Sequence, residues 1–104
     1  MAVYRAYQVT IVHPESSENT TSYLLETYDV SGKFTARYCM DLDLLASLLS
    51  VRTDNDEIIF PNERKIIPRP PNDVEILKPL SEQDLLALCN KIIAQSRMPR
   101  PEVV

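Results

Sequence analysis

The chain has 104 residues, of which 44% are hydrophobic and 25% are charged, as is usual for a soluble globular protein of one domain. Its net charge of −4 argues against nucleic-acid binding, which needs a concentrated positive field, although a local basic patch could supply one. No run of 18 apolar residues could cross a membrane and no signal-peptide core follows the first residues, so we expect a cytoplasmic protein.

The first part of the chain predicts three strands. Residues 3–12 alternate apolar and polar side chains and are rich in β-branched and aromatic residues, as in a strand with one buried face. Residues 20–39 predict a hairpin, because the only glycine of the chain lies where its turn needs a left-handed backbone. The turn pairs Tyr28 with Phe34, and in this register Glu26 falls on the apolar face of the hairpin.

Two helices are predicted, one after the hairpin and one near the end of the chain. Residues 41–50 repeat leucines at spacings of three and four, and Asp41 is a suitable N-cap. The second helix follows Ser81 as its N-cap, with Asp84 at the third helical position. Its broad apolar face includes Cys89.

Short strands are predicted between the two helices, in a segment that contains five prolines. Residues 57–60 (EIIF) and 64–68 (RKIIP) predict a small hairpin about the turn PNE, and residues 74–77 (VEIL) predict a further strand. Pairs of Ile, Leu and Val bound the prolines on both sides. We therefore interpret the segment as a rigid connection within one domain, not as a flexible linker.

This order of elements predicts a single α+β domain over residues 1–96. We expect an antiparallel sheet with an N-terminal three-stranded meander, two helices packed on one face, and short additional strands between the helices. Residues 97–104 predict a flexible C-terminal tail.

The sequence lacks the motifs of several kinds of site. With one glycine it has neither of the glycine-rich phosphate-binding loops. Cys39 and Cys89 are predicted to be buried, reduced thiols, and with one histidine they fall short of a four-ligand zinc site. The acidic residues Asp54, Asp56 and Glu57 lack the spacing and the glycine of a calcium loop. We therefore predict no metal, no cofactor and no catalytic residue.

The leading functional hypothesis is a small non-enzymatic protein-binding module, such as an adaptor, inhibitor, assembly factor or accessory subunit. The predicted partner is another protein or a larger complex, and a homodimer formed through an exposed strand edge belongs to the same class. Tyrosines suit interfaces, and a basic cluster could bind an acidic segment or be neutralised within the protein. The predicted partner-binding residues are Arg64, Lys65, Arg69, Tyr4 and Tyr23.

Two alternatives belong to other classes of protein. A small enzyme or ligand-binding protein would use His13, the only histidine, together with Cys39 and nearby carboxylates. A nucleic-acid-binding protein would use a local patch of positive side chains. The residues of that patch would be Arg37, Arg64, Lys65 and Arg69.

Overall fold

The computed structural model describes residues 1–16, 18–52 and 55–96. An antiparallel sheet with two helices confirms the α+β class, with the short strands between the helices. The predicted tail over residues 97–104 lies outside the described residues. The elements are β1 (Val3–Val12), β2 (Asn19–Tyr28), β3 (Phe34–Cys39), α1 (Leu42–Leu49), β4 (Glu57–Ile59), β5 (Lys65–Arg69), β6 (Asp73–Lys78) and α2 (Glu82–Ser96).

The six strands form one sheet, whose main order is β3-β2-β1-β6-β5. Strand β1 is central and pairs antiparallel with β2 along its whole length. On its other side, the first residues of β1 pair in parallel with β4 and its second half pairs antiparallel with β6. The predicted N-terminal meander of β1, β2 and β3 is therefore confirmed.

The turn between β2 and β3 explains the register of the hairpin. Gly32 has a φ of 84°, in the left-handed region where only glycine escapes a steric penalty. Its amide donates to the Asp29 carbonyl at 2.9 Å, and the Asp29 carboxylate accepts from the Lys33 amide, also at 2.9 Å. Tyr28 lies opposite Phe34, as predicted.

Glu26 lies on the same sheet face as Leu24 and Tyr28, as the predicted register requires. The structure places Arg5 of β1 directly opposite Glu26. Opposite charges at facing positions of neighbouring strands stabilise a sheet. The Glu26 carboxylate, which lies on the apolar face of the hairpin, therefore faces the positive side chain of Arg5 on β1.

Both predicted N-caps are present. The Asp41 carboxylate accepts from the Leu44 amide at 2.9 Å, and the Ser81 hydroxyl accepts from the Asp84 amide at 3.1 Å. These bonds satisfy amides in the first turn, which have no partner within the helix. In the described part of the chain, neither helix is long and apolar enough to cross a membrane.

The strands between the helices form as predicted, but their pairing differs. Strand β4 pairs with β1 and not with β5, whereas β5 pairs with β6. The predicted hairpin of residues 57–60 with 64–68 is therefore wrong. The physical reason is packing: Ile58 and Phe60 lie against the larger apolar cluster, which holds β4 beside β1.

Two apolar clusters lie on opposite faces of the sheet, because Ala6 and Tyr7 are neighbours on β1 and point to opposite sides. We call the face that carries Ala6, Leu25 and Cys39 the core face. Its cluster includes buried residues of both helices, Leu45, Ala46, Leu49, Leu88 and Ile92. That both helices pack on this one face stays a prediction, which the shared cluster supports.

The other face, which we call the far face, has a smaller cluster, and no helical side chain among the described residues belongs to it. Its members are Tyr7, Val9, Leu24 and Leu77, with Ile11 and Ile67 packed against them.

Cys89 does not lie in either cluster. It is an exposed free thiol on α2, whereas Cys39 is a buried free thiol. The prediction of two buried thiols is therefore wrong for Cys89. The buried stripe of α2 consists of Leu88 and Ile92 and is narrower than the apolar pattern of its sequence.

Candidate functional site

A group of three polar side chains on the far face joins strands that are distant in the sheet. The Tyr38 hydroxyl donates to Oε1 of Glu75 at 2.6 Å. Arg69 donates to Oε2 of Glu75 from Nε at 2.9 Å and from Nη2 at 2.6 Å. Glu75 is only 2% exposed, and a buried carboxylate needs partners of this kind on both oxygens. We call these three residues the Glu75 cluster.

The Glu75 cluster shows that the sheet curls toward its far face. Strands β3 and β6 are separated by β2 and β1 in the strand order. Three spacings would place them roughly 14 Å apart in a flat sheet, where side chains stand roughly perpendicular to the sheet and these two would not meet. The contact between Tyr38 and Glu75 therefore ties the edge strand β3 to the other half of the sheet. Burial, and then the Glu75 carboxylate, raise the pKa of Tyr38.

A cavity of about 420 Å³ adjoins the Glu75 cluster. His13 lines this cavity, with its Nδ1 3.1 Å from Oδ1 of Asp73. Cys39 is buried in the cluster on the core face, so the structure does not bring His13 and Cys39 together. Cys39 therefore does not join His13 and its neighbouring carboxylate, and the alternative of a small enzyme or ligand-binding protein stays a hypothesis.

The predicted basic cluster is largely paired within the protein. Lys65 lies 3.4 Å from the Glu63 carboxylate, and its Nζ is 5.8 Å from the centre of the Tyr7 ring. Tyr7 and then Glu63 raise the pKa of Lys65. Arg69 belongs to the Glu75 cluster, and Arg64 has no ion pair with any residue in the described ranges. Of the three, Arg64 is the one whose charge is not paired with an acidic side chain among the described residues.

The four residues of the alternative nucleic-acid patch do not form one surface. Arg37 lies on β3 opposite Leu25, so it points to the core face. Lys65 and Arg69 lie on β5, at the other end of the strand order, and point to the far face. Arg37 therefore does not share one patch with Lys65 and Arg69, and the nucleic-acid alternative stays a hypothesis.

The two predicted tyrosines have internal contacts. Tyr4 and Tyr23 are partly buried against the cluster on the core face. The Tyr23 hydroxyl donates to Oδ2 of Asp84 at 2.9 Å, and burial together with this bond raises the pKa of Tyr23 to about 12. Their predicted partner-binding role stays a hypothesis. They do not share a surface with Lys65 and Arg69, which point to the opposite face.

The free edge of β3 is the feature that reasoning from the sequence did not locate. Strand β3 ends the strand order and, within the described residues, pairs with β2 alone. The described chain exposes ten large hydrophobic residues, and five of them lie on β3 or beside it. These five are Tyr28, Val30, Phe34, Tyr38 and Met40.

The backbone of β3 presents donors and acceptors along this edge. The Asp29 amide donates to the Lys33 carbonyl at 3.0 Å, so these two residues form a hydrogen-bonded pair. Hydrogen-bonded and non-hydrogen-bonded pairs alternate along an antiparallel ladder. The pairs that contain Phe34, Ala36 and Tyr38 are therefore non-hydrogen-bonded, and the N–H and C=O groups of these three residues point away from β2.

The edge at β5 is protected, whereas the edge at β3 is not. Strand β5 contains Pro68, which has no N–H group, and the charged residues Lys65 and Arg69. Prolines and charges of this kind prevent further pairing at a sheet edge. Strand β3 has no proline, and Arg37 is its one charged residue. Of the two strands that end the strand order, β3 is therefore the one whose edge can accept another strand.

A second exposed apolar surface lies on α2, where Leu86, Cys89 and Ile93 follow at helical spacing. Two shallow cavities adjoin it, of about 350 and 230 Å³. Between residues 1 and 96, leaving out the undescribed positions, no group of three His, Cys, Asp or Glu side chains could hold a metal ion.

Comparison of the chain with family models, with curated proteins and with solved structures gave no match.

Proposed function

We propose that the protein is a non-enzymatic protein-binding module, which binds its partner by adding a strand to the free edge of β3. The observation that supports this is the row of outward backbone groups at Phe34, Ala36 and Tyr38. Strand addition gains affinity from main-chain hydrogen bonds and specificity from alternate side chains. An adaptor, inhibitor, assembly factor or accessory subunit would each use such an edge.

The side chains beside the edge support the same proposal. Phe34 is 46% and Tyr38 49% exposed, and both point to the far face. Half-exposed aromatic side chains are typical anchors of protein interfaces. Because the Glu75 cluster holds Tyr38 in place before a partner arrives, less conformational entropy is lost on binding.

We place this function in the cytoplasm. Cys39 and Cys89 are both free thiols, and one of them is exposed. Cytoplasmic proteins keep their thiols reduced, whereas secreted domains of this size commonly use disulfides.

The test is capture of partners by variants at Ala36. Ala36→Pro removes one outward N–H group, and the fold tolerates it because that group makes no bond to β2. Ala36→Ser keeps the N–H group and is the matched control. We expect a partner that wild type and Ala36→Ser capture from native lysate, and that folded Ala36→Pro loses.

The hypothesis that the basic cluster binds the partner makes a different prediction, so Arg64→Glu is included in the same experiment. Strand addition predicts that Arg64→Glu retains the partner. A partner lost with Arg64→Glu and retained with Ala36→Pro would contradict the proposal and favour the basic cluster.

A further inference from the structure

We infer that the strand accepted at this edge is β3 of a second copy of the chain, so that one sheet runs through a two-fold symmetric dimer. The inference rests on the proposed function, since it names the partner of the same edge.

The hydrogen-bonding pattern limits how two copies of β3 can pair. In an antiparallel pair of identical strands, the residues that exchange hydrogen bonds must be those whose backbone groups point outward, which are Phe34, Ala36 and Tyr38. The central register therefore places Ala36 opposite Ala36 on the two-fold axis. Other registers differ from it by steps of two residues.

The central register gives complementary neighbours at every position. Phe34 of each copy lies opposite Tyr38 of the other, so two aromatic pairs form on the far face. Thr35 of each copy lies opposite Arg37 of the other on the core face. Aromatic pairs at facing positions stabilise antiparallel sheets, and this arrangement places no like charges together.

The neighbouring registers are worse for identifiable reasons. A step in one direction places Arg37 directly opposite Arg37, and facing like charges destabilise a sheet. A step in the other direction places Tyr38 opposite Gly32, beyond the end of the strand. Only the central register uses both aromatic residues and avoids charge repulsion.

The edge is thus self-complementary, which is the requirement for a two-fold interface. The rotation also keeps the far face of one copy continuous with the far face of the other. Since Tyr38 is fixed by Glu75, the orientation of its ring is set before the copies meet. A second copy therefore supplies both members of each pair from residues already exposed.

The first experiment measures the dimer dissociation constant by sedimentation velocity for Thr35→Glu and Thr35→Lys. In the central register a glutamate at position 35 faces Arg37 of the other copy, and a lysine there faces the same positive charge. Each change acts twice by symmetry, so we expect a shift of about 2- to 30-fold, tighter for Thr35→Glu and weaker for Thr35→Lys. Equal constants for the two variants would overturn this register.

The second experiment fixes the register by cross-linking. Residues in a hydrogen-bonded antiparallel pair have Cα atoms about 5.5 Å apart, within the range of a disulfide. In a Cys89→Ser background, Ala36→Cys is expected to form a covalent dimer on mild oxidation. Thr35→Cys, which faces Arg37 and not itself, is the control and should cross-link much more slowly. Cross-linking of Thr35→Cys at the same rate would contradict the central register.

The failure of this inference can be told apart from the failure of the proposed function. If the wild-type protein remains monomeric in sedimentation velocity, the inference that two copies pair through β3 is wrong. In that case, loss of a different captured protein by Ala36→Pro would still support strand addition. If Ala36→Pro changes neither the assembly state nor the captured proteins, both are wrong.

Discussion

Glu75 is a charged side chain in an almost fully buried position, and its contacts explain why the sheet tolerates it. One oxygen accepts from Tyr38 and the other from Arg69. Nothing in the sequence near Glu75 predicts this role, because Tyr38 lies 37 positions earlier and reaches it only when the sheet curls.

Tyr38→Phe tests the contribution of this contact to stability. The variant keeps the ring and loses a hydrogen bond to a charged acceptor. Since Tyr38 is half exposed, we expect the free energy of unfolding to fall by about 1 kcal/mol. Urea denaturation followed by circular dichroism measures it. Tyr28→Phe is the matched control, because Tyr28 is similarly exposed on the same face, and it should change the unfolding free energy much less. Equal effects of the two variants would contradict a special role for Tyr38.

The raised pKa of Tyr23 predicts a loss of stability at alkaline pH. Its pKa is about 12 in the folded protein and about 10 when unfolded, so the folded state holds the proton more tightly. The stabilisation is fully present below pH 10 and is lost as the pH rises through about 12. The midpoint of urea unfolding should therefore fall over this range for wild type.

Tyr23→Phe has no proton to lose at this position, so its midpoint should fall less steeply between pH 10 and 12. A Tyr23→Phe variant whose unfolding midpoint follows wild type over this range would show that Tyr23 is not the responsible group.

Within the single strand β3, the direction of the backbone hydrogen-bonding groups alternates from one residue to the next. The backbone N–H and C=O groups of its odd-numbered residues bond to β2, whereas those of its even-numbered residues point to the free edge. The sequence predicted the turn and the register from which this alternation follows. It could not show that the edge stays free, because that depends on where β6 and β5 join the sheet.

The alternation makes a prediction about the isolated protein. Ala36→Pro removes an outward N–H group, whereas Thr35→Pro removes one that bonds to β2. We expect Ala36→Pro to unfold within about 1 kcal/mol of wild type and Thr35→Pro to lose about 2 kcal/mol or more. Chemical denaturation at a concentration where the protein is monomeric measures both. The reverse order of stabilities would show that the free edge has been assigned the wrong residues.

The pairing of β4 shows where prediction from the local sequence pattern fails. Its sequence and that of β5 resemble two arms of a hairpin, and the prediction joined them for that reason. The apolar side chains Ile58 and Phe60 instead pack against the larger cluster, and the backbone follows them to β1. The pairing of Val3 with Glu57 joins residues far apart in the sequence, so local sequence patterns could not predict it.

For the whole molecule, the class and the order of elements followed from the sequence, because periodicity, caps and turn residues act locally. The candidate site did not, since it consists of a strand edge whose freedom is decided by the complete strand order. The residues first predicted to bind a partner are distributed over two faces, and Lys65, Arg69 and Tyr23 have internal contacts. Unlike the exposed apolar surface of α2, the exposed row on β3 also offers backbone donors and acceptors that point away from β2.

Amide hydrogen exchange in the assembled protein, with the second copy or with the captured partner, tests this claim most directly. In the free protein the amides of Thr35 and Arg37 should be protected by β2, whereas those of Phe34, Ala36 and Tyr38 should exchange rapidly. Strand addition predicts that assembly protects the amides of Phe34, Ala36 and Tyr38 and leaves the other two unchanged. An Ala36 amide that exchanges as rapidly in the assembly as in the free chain would contradict it.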